Sequence, residues 1–224
     1  MSTDGEPASY RDSTGRTLND YARPSMAVDT AVLTVPDEES KLFVLQVRRV
    51  GSHAQGSWAL PGTFLHEREQ LSAAVSRSLR AKAGIAGRRP TQLHVFDDPA
   101  RDERGWVLTV AHVDLVPYAE LAAVVGDDVR LAPVDAAGPL PYDHPEILVR
   151  AVDAVRARYA DRPDPDRLLP KTFTLRELQL VHEAVAGHRL PRDTFRRTME
   201  DQLRATGRMA AGTRGRPAQL FRHP

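Results

Sequence analysis

Met26 to Val35 is apolar at every position except Asp29, Thr30 and Thr34. That run reads as a buried strand, ended by Pro36 and the acidic turn Asp37 to Glu39. Leu42 to Val47 predicts a second strand, and the two form a hairpin. Gly51 to Gly56 is a polar loop, and Trp58 to Gly62 is a short strand closed by a tight turn. From Glu69 to Ala83 the period turns helical, with Leu71, Ala74, Val75, Ser78 and Leu79 on one face. Gly84 stands where a left-handed residue would end that helix. Leu93 to Phe96 and Trp106 to Val116 predict further strands, separated by the charged segment Asp97 to Gly105. Residues 119–140 carry no clear period and receive no assignment.

Asp143 is a fitting N-cap, with Pro145 in the first turn and Glu146 at the third position to complete a capping box. That helix runs to about Tyr159. Residues 161–167, rich in proline and aspartate, read as a rigid polar linker between domains. Beyond them Thr174 and Glu177 form a second capping box, and Leu175, Leu178, Val181 and Val185 share a helical face up to Gly187. Another helix starts near Pro191, with Phe195, Met199 and Leu203 inward and Arg192, Thr194, Arg196 and Arg197 on the other face. The glycine-rich, basic stretch around Gly212 to Arg216, followed by Gln219 to Arg222, reads as a hairpin with a basic tip. Residues 1–22 lack periodicity and read as a mobile tail.

The domains are thus expected at 23–160 and 168–224, and 224 residues suffice for a core in each. Composition narrows the class further. A 41% hydrophobic and 27% charged chain is that of a soluble globular protein. It holds no run near the roughly 18 apolar residues of a membrane span and no apolar signal core at its start. With zero cysteines there is no disulfide or thiolate metal site. A cytoplasmic protein is the expectation. The net charge of +1 hides an asymmetry, because residues 1–167 carry 20 basic against 25 acidic groups and residues 168–224 carry 11 against 5. The positive module points to a polyanionic partner. The eight histidines show no paired ligand spacing and read as structural or surface residues.

Trp58 to Gly62, the following helix and Gly84-Ile85 resemble the Nudix box, in which a loop–helix–loop presents glutamates to Mg²⁺. In register with its Gly-x5-Glu-x7-Arg-Glu-apolar-x-Glu-Glu-x-Gly-apolar pattern, Thr63 takes the first glycine, Glu69 the first glutamate and Arg77 the arginine. Ser78, Ala81 and Lys82 fall where the other three glutamates belong. A hydroxyl, a methyl and an ammonium do not replace three carboxylates around a hard cation, so the resemblance implies a Nudix fold without hydrolysis. It extends beyond the box. Asp97 to Gly105 resembles the Gly-Asp-Pro-x-Arg-Asp-Pro-Arg-Gly segment of ADP-ribose-type Nudix domains.

Leu140 to Leu148, Leu168 to Gln179, Asp193 to Arg197 and Arg216 to Arg222 together resemble the NrtR-type transcriptional regulators. The resemblance covers residues 22 to 222, with Thr194 where an asparagine is common. It implies an α/β (α+β) Nudix-like sandwich of mixed sheet and helices followed by a C-terminal winged helix-turn-helix. The implied function is a ligand-responsive DNA-binding regulator of NAD metabolism genes, working as a homodimer on a roughly palindromic operator. Its effector would be ADP-ribose or a related nucleotide, with no metal and no cofactor.

Arginines on a second, amphipathic helix suit guanine and phosphate contacts independently of the family. The expected DNA contacts are Lys171, Thr172, Arg192, Thr194, Arg196 and Arg197, with Arg208, Arg214 and Arg216 on the wing. Arg48 and Arg49 are candidates for the ligand's phosphates and Trp58 for stacking. Arg77 is a further ligand candidate, although a pair with Glu69 would also account for it. Two other classes stand beside this reading: a bifunctional ADP-ribose pyrophosphatase that also binds DNA, and a scaffold using its winged helix for protein contacts.

Overall fold

The computed structural model describes residues 10–37, 39–50, 55–210 and 217–223. The long apolar run becomes β1 (Ser25–Thr34), in which every residue from Ala27 to Thr34 is buried. It lies at the centre of a mixed seven-stranded sheet. β2 (Phe43–Arg48) pairs antiparallel with its end, at Leu33 to Val44 and Thr34 to Phe43, as the hairpin reading expects. β3 (Trp58–Ala59) pairs with β2, and β4 (Gly62–Phe64) returns to pair with the start of β1. The single short strand expected here is therefore two, turned around Leu60 and Pro61. β5 (Thr91–Phe96) lies antiparallel to β6 (Val107–Leu115), and β6 runs parallel to β1 along its whole length.

Successive β1 side chains point to opposite faces, and each face has its own core. Ala31 and Leu33 pack with Ile147, Ala151 and Val155 of α3 (His144–Tyr159). Val28 and Val32 pack with Ala74, Val75 and Leu79 of α1 (Leu71–Ala83). Gly84 ends α1 in the left-handed region at φ 66°, and the Gly84 and Ile85 N–H groups close on the Arg80 and Leu79 carbonyls.

The unassigned stretch holds α2 (Tyr118–Ala122) and β7 (Val129–Pro133), which pairs with β2. The presumed tail carries a 3-10 turn at Leu18–Asp20, where Thr17 and Asp20 cap each other. Asp143 precedes α3 without a side-chain cap, because its carboxylate is engaged elsewhere, by Arg101. No helix among the described residues is long and apolar enough to cross a membrane.

The C-terminal unit comprises β8 (Phe173–Thr174), α4 (Leu175–Ala186), α5 (Arg192–Met199), β9 (Arg204–Met209) and β10 (Gln219–Arg222). The strands form one small sheet in the order β8-β10-β9. Its core is Phe173, Leu178, Phe195, Met199 and Phe221. Leu203, expected on α5, instead follows a 3-10 turn and packs against the edge of that core. The capping box at Thr174 and Glu177 is formed in both directions.

The joint between the two units is not a solvated linker. Asp164 is fully buried and accepts hydrogen bonds from the Leu168 and Leu169 N–H groups and from the Tyr159 hydroxyl. The Asp164 N–H donates to His182 Nε2, and His223 Nε2 lies 3.3 Å from the same carboxylate. Burial pushes the His182 imidazole down to about 4, so it is neutral at physiological pH. Arg156 of α3 also donates to the Val185 carbonyl in the last turn of α4, a cation at a helix C-terminus. α3 thus carries one core on its sheet side and α4 on its far end.

Candidate ligand cleft and nucleic-acid face

The starts of β1 and β6, β4, the end of α1 and the start of α3 enclose a polar cleft of about 190 Å³. Its floor is Asp29, which accepts from Thr109 Oγ1 at 2.8 Å and lies 3.3 Å from His144 Nε2. His144 Nδ1 accepts from the Leu60 N–H, which leaves Nε2 to face Asp29. Burial works against the Asp29 carboxylate, but His144, Thr109 and Arg101 outweigh it and hold it below the usual carboxylate range. Gly62 passes so close that a Cβ there would stand 1.8 Å from Asp29 Oδ1 and 2.8 Å from the Val28 carbonyl. Glycine is required by this approach.

Cations line the walls. Arg101, 5% exposed, forms two 2.6 Å bonds to Asp143 and lies 3.8 Å from Asp29. Arg104 grips Asp102 at 2.8 and 2.6 Å, with its guanidinium over the Phe64 and Tyr142 rings. Arg49 lies over the Tyr142 ring and donates to its hydroxyl at 3.2 Å. The Lys82 ammonium donates to the Gly62 carbonyl. A small cleft with four cations and aromatic walls suits a compact polyanion attached to a planar or sugar-like group.

Of the four ligand candidates read from sequence, the structure places only Arg49 on this cleft. Arg48 is exposed where β2 pairs with β3. The Trp58 ring is faced by the Arg130 guanidinium, 4.3 Å from its centroid. Arg77 binds Glu69 at 2.8 and 2.7 Å and also reaches Thr63 and the Phe64 carbonyl. The Arg77 guanidinium and the His66 N–H hold the Glu69 carboxyl down to about 2. That bridge ties the loop before α1 to the helix. Asp29, Arg101, Arg104, Tyr142 and His144 line the cleft without being marked as site residues by their spacing in the sequence. The charged segment Asp97 to Gly105 holds Arg101 and Arg104, and the segment Leu140 to Leu148 holds Tyr142 and His144.

The second surface is α5 with its surroundings. At about 100° per residue, Arg197 falls opposite the buried Phe195 and Met199, and Asp193 shares that outward face. Arg196 is paired with Glu200 four residues on, at 2.5 Å. Thr194 is exposed on the flank toward α3, where it lines an apolar cavity with Arg156 and His182. On the opposite flank, Arg192 and Arg196 meet Arg176 and Arg189 around a groove of about 540 Å³ between α4 and α5. Arg176 and Arg189 join this face from α4 and the turn after it, where the apolar period and not the arginines dominates the sequence signal. Lys171 and Thr172 are exposed just before β8, and Arg208 is exposed on β9. Arg214 and Arg216 lie outside the described residues.

Comparisons with known proteins match both halves of the chain. The NUDIX domain family matches residues 26–154, and the NrtR DNA-binding winged helix domain family matches residues 166–223. The chain is 30% identical over 218 residues to the ADPR responsive transcriptional repressor NtrR of Acinetobacter baylyi, covering 91% of this chain and 84% of that protein. It superposes on Shewanella oneidensis NrtR crystallised with a 27mer DNA with a TM-score of 0.74 at 33% identity, over 89% of this chain and 93% of that one. The NUDIX domain of the same Shewanella protein, crystallised with ADP ribose, aligns with a TM-score of 0.53 at 28% identity, over 63% of this chain and 94% of that one.

Proposed function

Because the chain belongs to the Nudix family, in the NrtR branch that carries a C-terminal winged helix, we propose that it is an ADP-ribose-responsive transcriptional repressor. The observation that carries the reading is the pair of cationic sites on one chain, joined through the buried contacts around Asp164. One is a cleft sized for a diphosphate, and the other is an arginine-bearing helix exposed for a major groove. α5 supplies Arg192 and Arg197 for base edges and phosphates, while Lys171, Arg176, Arg189 and Arg208 follow the backbone. The Nudix half supplies Arg49, Lys82, Arg101 and Arg104 around the ligand. Acting as a homodimer, the protein would read a roughly palindromic operator near NAD metabolism genes.

The Nudix family implies Mg²⁺, and the donor set here does not fit it. Ser78 is buried on the core side of α1 with its Oγ unpaired, Ala81 offers a methyl, and Lys82 offers a cation. Glu69 is locked to Arg77, and Asp29 and Asp102 are engaged by His144 and Arg104. No group of three His, Cys, Asp or Glu side chains able to hold a metal occurs among the described residues. Without that ion the route to an activated water and a neutralised pyrophosphate is closed, so the cleft binds without hydrolysing.

The test has two parts. Incubated with Mg²⁺ or Mn²⁺, the protein leaves ADP-ribose unchanged by chromatography, and it binds double-stranded DNA from its own upstream region with an affinity that falls as salt rises. Steady release of AMP would instead establish the bifunctional pyrophosphatase. Absence of salt-dependent DNA binding would leave a protein-contact scaffold.

A further inference from the structure

Lys82 occupies the last turn of α1, at the box position where the pattern has its final metal-binding glutamate. Its ammonium does not turn away to solvent. It donates to the Gly62 carbonyl and lines the cleft together with Arg49. Arg101 and Arg104 are both neutralised by bidentate carboxylates. Among the described residues Lys82 has no carboxylate in salt-bridge contact, so its charge stays available to a ligand. Burial, with Arg49 and Arg77 nearby, pulls its pKa below the ordinary lysine value. An anion seated between Lys82 and Arg49 relieves that repulsion.

The charge balance points the same way. Three glutamates holding one divalent ion come to a net charge of minus one, whereas Ser78, Ala81 and Lys82 come to plus one with no ion. The divalent ion's service to a bound diphosphate is neutralisation of charge and orientation of oxygens. A fixed ammonium supplies both, although it cannot acidify a water molecule. We propose that Lys82 is a built-in substitute for the divalent cation, which with Arg49 seats the diphosphate of an ADP-ribose-type ligand in a metal-free cleft. The inference rests on the sensor reading above and adds to it the residue that makes sensing independent of metal.

Calorimetric titration of ADP-ribose into the full-length protein, in EDTA and in millimolar Mg²⁺, tests it. The wild-type affinity is expected to agree within about twofold between the two buffers. Lys82→Met, which keeps the stem and removes the charge, weakens binding about ten- to hundredfold in both. Lys82→Arg keeps most of the affinity. Because Lys82 is exposed along the surface of α1 and only its ammonium reaches into the cleft, the methionine variant melts like the wild type, which separates lost binding from lost fold. Wild-type binding that requires Mg²⁺, or a Lys82→Met variant that binds as tightly as wild type, overturns the proposal while leaving the sensor reading intact. A wild-type protein that binds no ADP-ribose in either buffer overturns the sensor reading and this proposal with it.

Discussion

Replacing Arg192 and Arg197 together by alanine is expected to lower operator affinity about a hundred- to ten-thousandfold at fixed salt, with ADP-ribose binding unchanged. Arg197 projects from the middle of the outward face of α5, and Arg192 sits in its first turn, where a helix lying in a major groove meets the base edges. A bidentate contact from either is worth about ten- to hundredfold, and the two positions are far enough apart to act nearly additively. Arg196 differs, because its guanidinium is held by Glu200. DNA must displace that carboxylate before Arg196 can contribute, so Arg196→Ala alone has the smaller effect. Fluorescence anisotropy with labelled operator at one salt concentration measures all three variants. An Arg196→Ala loss equal to that of the double variant would move the contact surface along the helix.

The second large effect is on stability. Asp164→Ala is expected to destabilise the protein by about 3–5 kcal/mol. The fully buried carboxylate accepts from two backbone N–H groups and the Tyr159 hydroxyl and lies against His223. Its removal leaves the buried Tyr159 hydroxyl and the half-buried Leu168 and Leu169 N–H groups without a partner. The joint also sets how α4 sits on α3, so the variant loses operator affinity even where it remains folded. Asp164→Asn keeps the volume and one acceptor oxygen and falls between. Urea denaturation followed by circular dichroism measures the loss, and a midpoint unchanged in Asp164→Ala would show that the network carries no stability.

Much of this architecture was legible in the residues. The β1 run, the α1 face, the left-handed glycines at 84 and 187 and the Thr174 capping box are all local signals, and they formed as read. What escaped has a common cause. Asp143 has the chemistry of an N-cap, yet Arg101, 42 residues away, takes its carboxylate. Residues 161–167 have the composition of a solvated linker, yet Tyr159, His182 and His223 close around Asp164. α2 and β7 span 5 residues each, too short for a period to show. The cleft gathers Asp29, Arg49, Lys82, Arg104 and His144 from five separate elements and loops. No spacing along the chain brings such residues together, whereas Arg192, Arg196 and Arg197 lie on one short helix, α5, and are readable for that reason.

The most direct test of ligand-controlled DNA binding is a titration of ADP-ribose into the complex of this protein with its own upstream DNA, at constant salt and with Mg²⁺ present. A ligand can release DNA only if it favours a form of the protein that binds DNA less well. Operator affinity is expected to fall about 5- to 150-fold at saturating ADP-ribose, with operator weakening ADP-ribose by the same factor and the nucleotide recovered intact. Operator affinity that stays constant at saturating ADP-ribose would contradict the account.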